Sequence, residues 1–130
     1  MKFWQLPVFI LLFAALLISG PVVAHHGTSP YDSSKLTTVN GPATGFEFIN
    51  PHVEIYIEVK DDKGKTEKWV GEANSPNVLT RHGWSRDIIR PGDQITLIGN
   101  RAKNGSFMLR LQKVVLADGR ELDPNSITDY

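Results

Sequence analysis

Residues 51–60 read PHVEIYIEVK, and their alternation decides the fold class. Val53, Ile55, Ile57 and Val59 take every second position, between His52, Glu54, Tyr56, Glu58 and Lys60. Successive side chains of a strand point to opposite faces, so this pattern is a strand with one buried face and one wet one. Upstream, Thr38 to Ile49 reads as a long strand interrupted by Gly41-Pro42 and Gly45, residues that mark a bulge or a sharply coiled strand. Asn50-Pro51 makes the corner between the two, because a residue before proline is driven to extended geometry.

Downstream, Asp61-Asp62-Lys63-Gly64 is a hairpin turn leading into a third strand over Lys65 to Ala73. Ser75-Pro76 then offers an N-cap and a proline at the first helical position, and Val78, Leu79 and Gly83 complete a short helix. Trp84 to Ile89 adds a further turn. Arg90-Pro91-Gly92-Asp93 is a tight turn, Gln94 to Arg101 a fourth strand, Asn104-Gly105 a hairpin and Ser106 to Leu116 a fifth strand. Asp118-Gly119 closes a last small turn before a polar tail. The order β-β-β-α-β-β predicts an all-β fold, a small five-stranded OB-fold-like barrel with one short helix between strands three and four. An open β-sandwich of the same strands is the alternative.

The N-terminus reads differently. Behind Lys2, Leu6 to Ile18 is an uncharged apolar run of 13 residues, the length of a secretory h-region and short of the roughly 20 residues that span a bilayer. Gly20 and Pro21 break it, and Val22-Val23-Ala24 supplies small residues for a signal peptidase. The expected layout is a signal peptide over 1–24, cleaved after Ala24, a polar arm over 25–35, the barrel over 36–122 and a polar tail over 123–130. An uncleaved anchor is the alternative. The expected address is the periplasm or the medium, with no membrane attachment after cleavage.

Removing 24 residues from 130 leaves 106, enough for one modest core. Without Lys2 there are 13 basic and 14 acidic side chains, no electrostatic footprint for nucleic acid or an anionic membrane. There is no cysteine, which excludes a lipobox, thiolate metal sites and thiol catalysis, and leaves the domain to its core alone.

Phosphate-cradling glycine motifs and a G-x-S-x-G nucleophile elbow are missing. Glu54 and Glu58 share a strand face about 13 Å apart, too far for a glycosidase pair. Tyr56 between two acids is a poor stacking platform for nucleic acid. Arg81, His82, Arg86 and Arg90 cluster near the helix and offer an anion site, although turn arginines are ordinarily surface. No residue is assigned a catalytic role, so the chain reads as a binding protein rather than an enzyme.

The histidines carry more. His25 and His26 become the first two residues after cleavage. A terminal histidine joins an α-amino group of pKa about 8 to its own imidazole, forming a bidentate nitrogen clamp. One further imidazole completes the three-nitrogen, T-shaped set that suits Cu(II), the arrangement called a histidine brace. His52 is the expected third ligand, since it has outward parity and an arm of about ten residues reaches roughly 30 Å. His82 is the alternative, although a histidine at a helix C-terminus gains there from the dipole. Tyr31 or Asp32 would supply a second-shell or axial oxygen.

The expected metal set is therefore His25, His52 and His26, with copper as the ion and delivery, storage or sensing as the task. A cut one residue away removes the clamp, and His-His pairs also bind Ni(II), Cu(II) or Zn(II) weakly without a role. The alternative is an envelope module that holds a protein or small ligand without metal, using the barrel's outer face and the helix-side loops around Trp84. An oxidative copper enzyme is a third reading.

The strings Ala24-His25-His26-Gly27, Tyr31-Asp32-Ser33-Ser34-Lys35, Asn50-Pro51-His52, Gly83-Trp84 and Pro91-Gly92-Asp93 together resemble the bacterial domain-of-unknown-function family 6152. The resemblance runs over nearly the whole exported chain. It implies export and a small β-rich domain, and it supplies no activity.

Overall fold

A computed structural model describes residues 29–125. The predicted signal peptide, its cut after Ala24, His25, His26 and the end of the polar tail lie outside the described residues. The elements are β1 (Thr37–Glu47), β2 (Glu54–Lys60), β3 (Thr66–Glu72), α1 (Pro76–Thr80), β4 (Gln94–Arg101), β5 (Met108–Val115) and β6 (Glu121–Leu122).

Strands β1, β2 and β3 form an antiparallel meander, β4 returns to the other edge of β1, and β5 pairs antiparallel with β4 and parallel with β3. The β3–β5 pairing closes the sheet into a five-stranded barrel of OB-fold topology with α1 between β3 and β4. That closure decides against the open sandwich. Strand β6 lies beyond the expected five: its two residues pair with Val114 and Val115, a length at which no periodicity can be read.

Strand β1 serves two neighbours. Thr37 to Pro42 pair with β4, Ala43 to Glu47 pair with β2, and a register shift lies between Ala43 and Gly45. A bulge at that point bends the strand, so one long element can run along both halves of a small barrel. The alternation that runs from Val53 into β2 buries Val53, Ile55 and Ile57, which meet Leu97, Leu109, Leu111 and Val114 in the core.

The helix end corrects an expectation. Gly83 adopts a φ of 83°, and the N–H groups of Gly83 and Trp84 return to the carbonyls of Thr80 and Leu79, the pair of bonds that closes a helix on a left-handed glycine. This reversal drives Trp84 into the core, where it is 2% exposed and its Nε1–H donates to the Asp123 carbonyl at 3.1 Å. Trp84 is therefore packing and not part of a docking loop. Ser75 stands extended at the N-cap, but its side chain makes no capping bond; its carbonyl accepts from Val78 and Leu79. The Asn50–Pro51 peptide is cis.

Two glycines mark close approaches. A Cβ at Gly71 would lie 2.8 Å from Leu111 Cδ2 and 3.0 Å from Leu97 Cδ1, whereas one at Gly99 would collide with the backbone carbonyl of Arg110. Side-chain methyls can shift and a strand backbone cannot. Gly71→Ala should therefore cost about 1–3 kcal/mol by overpacking, and Gly99→Ala should cost more, as read from urea unfolding midpoints. A Gly99→Ala protein as stable as the parent would refute this account of the β4–β5 approach.

Candidate functional site

The backbone fixes where His52 points. Val53 is fully buried, its N–H donates to the Asn74 carbonyl, and its carbonyl accepts from Ala73, so β2 and β3 remain tied just outside their named ends. With Val53 facing in, His52 faces out at the barrel rim, its side chain 45% exposed. There its Nδ1 lies 3.4 Å from Glu72 Oε1.

Glu72 is the meeting point of the rim. It sits directly across from Glu54 on β2 and beside Arg110 on β5. Arg110 Nη1 donates to Glu72 Oε1 at 2.9 Å, and the Tyr31 hydroxyl donates to Oε2 at 3.4 Å. One carboxylate thus faces a guanidinium, a phenol and an imidazole that come from three separate parts of the chain.

Tyr31 arrives there because the arm is laced to the barrel. It bridges to Ala102, the Asp32 N–H donates to the Arg101 carbonyl at 2.8 Å, and the Lys103 N–H donates to the Pro30 carbonyl at 2.8 Å. The Asn100 side-chain amide also donates to the carbonyls of Asp32 and Lys35. Burial, and then the charge and hydrogen bond of Glu72, push the Tyr31 phenol above its ordinary value, with Arg110 opposing. Asp32, the other oxygen expected near a metal, is committed elsewhere. Its Oδ1 accepts from the hydroxyl and N–H of Ser34, which hold its carboxyl below the usual range.

A second pair lies next along the same face. The Tyr56 hydroxyl donates to the Glu54 carboxylate, and this bond, aided by burial and the Glu54 charge, raises the Tyr56 phenol. Tyr56 lines an open depression of about 360 Å³ with Gly45, Glu47, Glu58 and Lys68. Glu58 pairs with Lys68 at 3.5 Å, so Glu54 and Glu58 each have their own partner and do not act together.

The basic residues near the helix have different surroundings. Arg90 shares its depression with Asp87, Asp93, Asp118 and Arg120, and the Arg86 guanidinium lies 5.8 Å from the Phe48 ring centroid. His82 sits in the turn after α1, its N–H bonded to the Leu79 carbonyl. Among the described residues no three His, Cys, Asp or Glu side chains converge to hold a metal ion.

Sequence reasoning missed Glu72 and Arg110. The outward parity of Glu72, between buried Gly71 and Ala73, was available; the adjacency of Arg110 exists only once β5 closes on β3.

The raised tyrosines have a pH consequence. A phenol whose pKa is higher in the folded protein than in the unfolded chain adds stability that is complete below the ordinary value of 10.0 and is lost as pH rises through the folded value. Unfolding followed with rising pH should therefore show stability falling from about pH 10 upward. Tyr31→Phe and Tyr56→Phe should each flatten part of that fall, and an unchanged alkaline slope in both variants would contradict the rim hydrogen bonds.

Comparison with curated proteins and with solved structures finds no match. A family profile matches residues 14–109, a span that includes His25, His26, His52 and Glu72, and on that match the chain belongs to the family of unknown function DUF6152.

Proposed function

We propose that the chain is an exported protein that binds a transition metal at the barrel rim for delivery, storage or sensing, and not for turnover. The ligands are the α-amine and imidazole of His25 and the imidazole of His52, with His26 beside them. Copper is the ion, because three nitrogens in a T-shaped set suit Cu(II) and the cysteine-free chain offers no thiolate.

The observation that carries this reading is the shared carboxylate. Tyr31 bonds to Glu72, the same group that faces His52, and His25 lies only six residues before Tyr31. Six residues reach about 20 Å when extended, so an arm pinned at Tyr31 brings its amino end within range of His52. His52 is exposed and has a second ring nitrogen to offer. The apolar run Leu6 to Ile18, followed by small residues ending at Ala24, supports export to the periplasm or medium and a free amine on His25.

A metal-free envelope module that holds a protein or small ligand is the second reading, favoured by the depression beside Tyr56. Intact mass of the exported protein should give a chain beginning at His25. Cu(II) titration by calorimetry and electron spin resonance should give one site with nitrogen couplings. His25→Ala, His52→Ala, or one residue added before His25 should each weaken binding at least roughly tenfold. A chain that starts elsewhere, or three variants that bind like the parent, would transfer the assignment to the second reading.

A further inference from the structure

We infer that Glu72 is the positioning residue of this rim, holding His52 with its ring proton on Nδ1 and leaving Nε2 as the nitrogen that takes a metal. The inference rests on the metal-binding reading above for its consequence, but not for its geometry. An ionised carboxylate only accepts hydrogen bonds, so the nitrogen that faces Glu72 Oε1 at 3.4 Å is favoured as the N–H. A neutral imidazole carries one ring proton, and placing it on Nδ1 leaves the lone pair on Nε2. Metal-bound histidines commonly donate their other N–H to a carboxylate, which fixes the ring and raises its basicity, and Glu72 stands at ion-pair distance from Nδ1 to take that role.

Glu72 is suited to that task because it is itself held. Arg110 from β5 occupies Oε1 at 2.9 Å and brings a compensating charge, and Tyr31 from the arm occupies Oε2. With Arg110 offsetting its charge and Tyr31 on its other oxygen, the carboxylate is assigned to orient the imidazole and not to bind the ion. The same group also anchors the arm. Removing it should therefore free both the His52 ring and the Tyr31 hydroxyl.

The test uses the exported protein with its native N-terminus. Nitrogen-15 NMR of the metal-free protein, above the imidazole's titration range, reads which ring nitrogen of His52 carries the proton. Cu(II) titration is run in parallel on the parent, Glu72→Ala and Glu72→Gln. The parent should show the proton on Nδ1; Glu72→Ala should lose that preference and bind copper about 10- to 100-fold more weakly. Glu72→Gln keeps the shape and an acceptor oxygen, so it should fall between the two. A parent with its proton on Nε2, or a folded Glu72→Ala with the parent's tautomer and affinity, overturns the inference. If the parent binds no copper yet its tautomer depends on Glu72, the metal reading fails and the positioning role stands.

Discussion

The parallel seam between β3 and β5 governs both the fold and the site. Three residue pairs make it: Val70 with Met108, Gly71 with Leu109 and Glu72 with Arg110. A parallel pair cannot be joined by a hairpin, so the chain between them must travel, and α1 and β4 fill that crossover. On the inner side of the seam Gly71 carries no side chain, which lets Leu111 and Leu97 pack against the strand. On the outer side the pairing sets Arg110 beside Glu72. Without the seam the sheet would keep two open edges, and the rim carboxylate would lose its guanidinium.

The rim is an arrangement of strand ends. His52 precedes β2, Glu72 ends β3, Arg110 lies near the start of β5, and Tyr31 enters from the arm along the end of β4. Each is placed by backbone pairing within a few residues of it, so their relative positions inherit the rigidity of the barrel. The arm gains its position the same way, through the two backbone hydrogen bonds of the Tyr31–Ala102 bridge and the Asn100 amide.

How much of this could be read from residues alone follows from how local each signal is. The alternation Val53, Ile55, Ile57 spans a few consecutive residues and marks the core face of β2 directly, and the glycine turns at Gly64, Gly105 and Gly119 are equally local. The Gly-Pro interruption in β1 was legible as a bend, but its purpose, a change of partner from β4 to β2 after Pro42, belongs to the closed barrel. Trp84 reads as part of helix-side loops that could hold a ligand; the left-handed turn at Gly83 reverses the chain and buries it. His52 could be placed by parity. Its partner could not, because residues 52, 72 and 110 are joined only through strand pairing that leaves no trace in their spacing.

The central claim is that one ion can be held jointly by the arm and the rim. A crystal structure of the copper-loaded exported protein tests it most directly. The account predicts a single copper bound by the α-amine and imidazole of His25 and by Nε2 of His52, with Nδ1 of His52 still on Glu72. Copper held by the arm alone, or His52 left unbound on Glu72 with metal elsewhere, would contradict it.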